Sequence, residues 1–194
     1  MGAFLKTAAR LRRARLRRDE EGATLLEFAI VLPVFLTMLF GLFEFAFIIF
    51  ISSSVDAAIL NASRLGATGL KYEDETRSEM VLRIVQEQTW GLIKPTASDL
   101  DILIYDSFSD IGKPEPFDDD NGNGDYDEGE SFTDINGNAQ WDDDMGKAGL
   151  GGSDSIVLYR VRYAWGYVTP FIRNLLGDEF QYSSSVAVRN EPFN

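Results

Sequence analysis

The residues with the clearest chemical content lie between Asp118 and Asp144, a stretch with eleven carboxylates and no basic residue. Within it, Asp119, Asn121, Asn123, Gly124 and Glu130 match the calcium-loop pattern D-x-[DN]-x-[DN]-G-x5-E without a gap. A hard cation such as Ca²⁺ takes about six to eight oxygens, and alternate residues of a curling loop turn theirs inward. Asp119, Asn121 and Asn123 are expected to supply side-chain oxygens and Asp125 its backbone carbonyl. Asp127 would bind directly or through water, and Glu130 would close the shell with both oxygens. Magnesium fits less well, because its tight octahedron keeps several waters.

Fifteen residues on, the pattern returns in Asp134, Asn136, Asn138, Gln140 and Asp142. Tyr126 and Trp141 occupy the same register, as do Asp127 and Asp142. Ala139 stands in for the glycine and Met145 for the closing glutamate, so this copy is expected to bind more weakly or to borrow ligands from Glu130, Asp143 or Asp144. Only Ser131, Phe132 and Thr133 separate the loops, and Pro114 and Pro116 precede the first, which leaves no room for flanking EF-hand helices. The tandem resembles the compact calcium repeats of dockerin-type and thrombospondin-type extracellular modules. The competing reading is an acidic loop that only solvates.

Other chemistry is limited by what is missing. The 194 residues include no histidine and no cysteine, which removes the commonest general base, the commonest transition-metal ligands and any disulfide. The carboxylates sit at ligand spacing, and no convergent apolar pocket accompanies them, so an enzyme is not expected. The net charge of −13 is divided unevenly: residues 1–22 carry seven basic residues and three acids, leaving a net of −17 beyond Gly22. Such a surface repels nucleic acid and suits divalent cations.

The basic leader ends at Gly22-Ala23-Thr-Leu-Leu-Glu27-Phe28, and residues 28–51 then carry a single charge, Glu44. An acid at the mouth of an apolar run costs up to about 2–3 kcal/mol on insertion scales, so Glu27 calls for a reason. The leader cations set a cytoplasmic N-terminus and place the acidic body across the membrane. The apolar run is too long for an ordinary secretory signal, and no small-residue cleavage site follows it.

This arrangement resembles the class III signal of prepilin-like proteins, and Phe28-Ala-Ile-Val-Leu-Pro33-Val-Phe resembles the TadE/TadF-like minor pseudopilins of tight-adherence (Flp-type) pili. The resemblance covers residues 18–69 and returns in Val188-Arg-Asn-Glu-Pro-Phe193. It implies cleavage by a prepilin peptidase between Gly22 and Ala23, with Glu27 as the fifth mature residue. It also implies that Glu27 of one subunit neutralises the new α-amino group of a neighbour in the filament. The sequence departs from the family pattern in Asp19, Glu20 and Glu21, which stand where many prepilins carry a basic residue, and in the acidic insertion.

These motifs need elements to hold them. Residues 23–66 read as one helix, with a transmembrane part over about 25–51, and Pro33 is expected to kink it. Val55, Ala58, Ile59, Ala62 and Leu65 continue the helical spacing as an amphipathic outer half. Glu44 lies about 100° around the helix from Glu27. It either marks the outer boundary of the span or pairs with another subunit. Asp74 or Thr76 is expected to cap a second helix reaching about Leu92, with Met80, Val81, Ile84, Val85 and Trp90 buried. Residues 100–105, 156–165 and 180–188 read as strands, and Pro170–Gly177 as a short helix.

The expected fold class is α+β: a long pilin-like N-terminal helix, a small antiparallel sheet of about three strands packed on its outer half, and a calcium-loop insertion. The chain divides into a leader (1–22), the helix (23–66) and a periplasmic head (67–194) that contains the insertion (114–149). The expected function is structural, as a TadE-like minor pseudopilin in pilus assembly. The expected partners are the inner membrane, a prepilin peptidase, other pilins or pseudopilins and the assembly platform. The alternative is an uncleaved, membrane-anchored periplasmic calcium-binding protein.

Overall fold

The structure is a computed structural model that describes residues 20–68 and 75–192. Residues 1–19 of the basic leader, Gly69, the alternative cap Asp74 and the final residues 193–194 lie outside the described residues.

Helix α1 (Glu20–Ala67) runs for 48 residues without interruption, through Pro33. Among the described residues it is the helix long and apolar enough to cross a membrane. From Gly22 to Val31 every residue is exposed, because none of the head reaches that part of the helix. The outer half differs. Ile51, Val55, Ala58, Ile59 and Ala62 recur every three or four residues and are buried, so a single stripe faces the head.

The head covers that stripe with a second helix and a sheet. Helix α2 (Arg77–Gln88) starts at a capping box: Glu79 N–H donates to Thr76 Oγ1, and Thr76 N–H donates to the Glu79 carboxylate at 2.8 Å. Met80, Val81, Ile84 and Val85 form its buried side, as the spacing requires. Trp90 does not join them. It is 85% exposed and, like Gly91, has positive φ. The chain therefore leaves the helix at Gln88 instead of near Leu92, and the buried position passes to Ile93.

Four strands form the sheet: β1 (Leu100–Tyr105), β2 (Lys147–Ala148), β3 (Ile156–Gly166) and β4 (Glu179–Arg189). Their order is β2-β1-β3-β4, with every neighbouring pair antiparallel. Between β3 and β4 lies the short helix α3 (Pro170–Leu176), which Gly177 ends. The fourth strand, a two-residue piece at the far end of the acidic insertion, has no periodic signal of its own in the sequence.

Alternation along the strands divides their side chains between two faces. Ile102, Val157, Tyr159, Val161 and Tyr163 pack with the α1 stripe and α2 into the main core. Tyr105, Ile156 and Leu158 form a second cluster, joined by Leu103, Ile111, Met145 and Ala187. That cluster lies under the insertion, so β3 is buried on both faces over residues 156–159.

Where α1 meets the sheet, contact is close enough to exclude a side chain. A Cβ on Gly66 would lie 2.4 Å from the Tyr159 hydroxyl oxygen and 3.2 Å from Cζ. Gly66→Ala should therefore destabilise the head by about 1–3 kcal/mol, as overpacking does. Adding Tyr159→Phe should recover much of that loss by removing the nearest atom. Thermal melts of the detergent-solubilised chain check this, and equal melting of the single and double variants would contradict it.

Candidate functional site

The two acidic loops are built alike, bond for bond. In the first, Asp119 Oδ1 accepts from Gly122 N–H (2.6 Å) and Asn123 N–H (3.2 Å), and Oδ2 accepts from Gly124 N–H (2.8 Å). In the second, Asp134 Oδ1 accepts from Gly137 N–H (2.6 Å) and Asn138 N–H (3.2 Å), and Oδ2 accepts from Ala139 N–H (2.9 Å). Asn121 and Asn123 accept from the backbone two residues on, and Asn136 and Asn138 repeat this. The carboxamides of Asn121 and Asn123 donate to Asp127 at 2.6 and 2.8 Å, while those of Asn136 and Asn138 both donate to Asp142 at 2.6 Å. Ala139 takes the left-handed conformation of Gly124 (φ 62° against 87°), at the steric cost that a Cβ brings there.

The amides around Asp119 and Asp134 hold both carboxyl groups below the usual carboxylate range. In each case the largest contribution comes from the last amide of the turn, Gly124 or Ala139. Depressed folded-state values mean that this support is complete above about pH 4 and is lost as the pH falls through them.

The carboxylates that close the two loops come from different places in the chain. Glu130 accepts from Asp120 N–H (3.1 Å) and Asp127 N–H (2.9 Å), so its carboxylate ties the start of the first loop to its end. The second loop is closed by Glu115, which comes before the first. Glu115 Oε1 accepts from Ile135 N–H (2.7 Å) and Asn136 N–H (3.1 Å), and Oε2 accepts from Asp142 N–H (3.3 Å). Glu115 is fully buried. Its position, fifteen residues before Glu130, is a signal that the 15-residue repeat contained. Glu115 and Glu130 each stand four residues before one loop and close the other, so the two loops are interlocked.

Aromatic packing seals the pair. Tyr126 and Trp141 stack with ring centroids 4.6 Å apart, and Phe117 meets both edge-on at 5.8 and 5.9 Å. Phe132 meets Tyr126 edge-on, and a β-bridge joins Phe117 to Phe132. Trp141 Nε1–H donates to the Glu115 carbonyl at 2.9 Å, which fixes the ring and the glutamate together. The insertion is tied to the sheet through Asp144, which accepts from the Tyr105 hydroxyl (2.6 Å) and from Arg160 (3.2 Å).

The donor set is all oxygen, which fits a hard cation and not a soft one. Even so, among the described residues no group of three or more acidic side chains is gathered round one point. Asp127 and Asp142 are covered by asparagine amides, which a cation would have to replace.

On α1 the two acids have different surroundings. Glu27 is exposed on the bare part of the helix, at the distance from Gly22 and Ala23 that the sequence dictates. Glu44 is buried, and its carboxylate accepts from Val168 N–H at 3.0 and 3.1 Å and from Thr169 N–H at 2.8 Å. Its partners lie within the same chain, 124 and 125 residues on, so Glu44 forms an internal tie.

Removing Glu115 should have a local signature. In Glu115→Ala the amides of Ile135, Asn136 and Asp142 lose their acceptor, at about 1–3 kcal/mol for each donor left buried. Hydrogen exchange should quicken at those three amides while Asp120 and Asp127, held by Glu130, keep their protection. Uniform loss of protection across both loops would show that they are not separately closed.

Residues 22–64, which make up most of α1, match the family model described as TadE-like protein. No curated protein and no solved structure matches the chain.

Proposed function

We propose that the protein is a TadE-like minor pseudopilin, a structural component in the assembly of a tight-adherence, Flp-type pilus. The observation that carries this reading is the family match, which begins at Gly22 and ends at Arg64. The bare half of α1 supports it. A helix with Leu25, Phe28, Ile30, Val31 and Val34 all exposed must be covered by lipid or by neighbouring helices. In this reading it is inserted in the inner membrane with its N-terminus cytoplasmic, is cut after Gly22 by a prepilin peptidase, and passes from lipid into a bundle of pilin helices. Glu27 then neutralises the α-amino group of Ala23 on a neighbour. Leaving either charge of such a buried pair alone costs about 3–5 kcal/mol, which fixes the subunit register.

N-terminal sequencing of the protein extracted from piliated cells is expected to begin at Ala23, and Gly22→Val should block the cut. Glu27→Ala should leave insertion intact and abolish incorporation into the filament. A native chain still starting at Met1 would favour instead a membrane-anchored protein that never enters a filament.

A second reading, calcium binding by the insertion, is favoured by the matching hydrogen-bond patterns of the two loops. Asp119, Asn121, Asn123, Asp125, Asp127 and Glu130 are the proposed first ligand set. Asp134, Asn136, Asn138, Gln140 and Asp142 form the second, with Glu115 at its closing position. The cation would draw together eleven carboxylates that otherwise repel one another. Extracellular-type sites bind at roughly 10⁻⁴–10⁻³ M. A hundredfold excess over the dissociation constant would therefore raise stability by about 2.7 kcal/mol. Calorimetry is expected to show heat of binding that Glu130→Gln weakens most in the first loop and Glu115→Gln in the second. No heat and no shift in melting at millimolar Ca²⁺ would mean that the insertion is only a solvated structural loop.

A further inference from the structure

Helix α3 exposes an apolar stripe that nothing in the head covers. Val168, Phe171, Leu175 and Leu176 are 64%, 57%, 70% and 63% exposed, and Ile172 is half-buried. Within α3, Phe171 and Leu175, and Ile172 and Leu176, are each four residues apart and so share one side of the helix, while Val168 precedes the helix in the turn that leads into it. Among the described residues of the head, no other nine-residue segment carries four exposed large apolar side chains.

The stripe is held at a fixed level along α1. Glu44 takes the Val168 and Thr169 amides, Arg173 Nη2–H donates to the Tyr167 carbonyl at 2.7 Å, and Tyr167 N–H donates to the Asp178 carbonyl at 3.2 Å. The turn between β3 and β4 is thus a braced bracket on the side of α1. A hydrocarbon core of about 30 Å takes about 20 helical residues. Counted from Leu25 these end at Glu44, and counted from Phe28 they end at Phe47. The bracket therefore meets α1 at the outer edge of the bilayer, where Phe43, Phe45 and Phe47 are themselves exposed.

We propose that α3 lies in the outer leaflet of the membrane that α1 crosses, as a second, interfacial contact that seats the head on the lipid surface. An amphipathic helix at that level buries its apolar face among headgroups and upper acyl chains. Continuity with the lipid-facing surface of α1 selects lipid as the occupant. A second copy of the chain is disfavoured by area, since α3 has seven residues and a stable protein interface buries about 1,200–2,000 Å² in total. The proposal rests on α1 spanning a membrane and is independent of any role in a pilus.

Because the chain has no cysteine, single labelling sites can be introduced cleanly. The full chain is reconstituted in vesicles of phosphatidylethanolamine and phosphatidylglycerol with an environment-sensitive fluorophore at Leu175→Cys, at Leu36→Cys in the span, or at Ser153→Cys on the exposed head. Position 175 is expected to emit to the blue of position 153 and to be quenched by lipids with a nitroxide near the headgroup. Emission and quenching at 175 equal to those at 153, with 36 quenched, would overturn the proposal and leave the anchor standing. A blue-shifted label at 175 that lipid nitroxides do not quench would assign the face to another protein copy and also overturn it. Loss of quenching at 36 would remove the anchor and the proposal together.

Discussion

Burial of one stripe of α1 is the interaction on which the rest of the structure depends. Ile51, Val55, Ala58, Ile59 and Ala62 are the part of the long helix that the head recognises, and the sheet and α2 are arranged around them. Burying a large aliphatic side chain is worth about 1.5–3 kcal/mol. The alanines let β3 and β4 approach, and Gly66 admits the Tyr159 ring. Because the same helix continues inward as bare apolar surface, the orientation of the head is fixed by the orientation of the helix in its surroundings.

Glu44 sits where these two regimes meet. A carboxylate in an apolar run is costly unless its lone pairs are filled, and here the Val168 and Thr169 amides fill them. The same bonds satisfy two backbone donors in the turn before α3, a place where no strand partner is available. The tie holds the β3–β4 turn against α1 at its lower end, while the main core holds the sheet against α1 further out. Two attachments along one rigid rod prevent the head from swinging about either.

The insertion is a small symmetric unit docked on the opposite face of the sheet. A single β-bridge joins Phe117 to Phe132, the aromatic rings fill the space between the loops, and the two glutamates cross over to close them. The rear cluster of Tyr105, Ile156 and Leu158 gives it a foundation. The Tyr105–Asp144–Arg160 contacts add a polar clamp, and burial together with the bond to Asp144 pushes the Tyr105 hydroxyl well above its ordinary pKa. Self-repulsion among the acids is offset in this arrangement by backbone and carboxamide N–H groups aimed at Asp119, Asp127, Asp134 and Asp142.

Local pattern by itself determined the long helix, the start of α2 at one of two capping residues, most of the core side of α2 and the register of faces along β3. Those features depend on residues within about one turn or one pleat of each other, so spacing carries them. Trp90 falls outside the buried side because helical periodicity does not encode where a left-handed residue ends the helix. The pairing of Lys147–Ala148 with β1 has too few residues for any period to show. The tertiary structure alone decided the partner of Glu44, 124 residues away, and the use of Glu115 to close a loop that begins nineteen residues after it. Both are buried carboxylates whose bonds are to backbone amides, and a backbone amide has no residue type to read. Only the packing of the chain brings such donors to the acid, which is why these two contacts are absent from every motif and present in the fold.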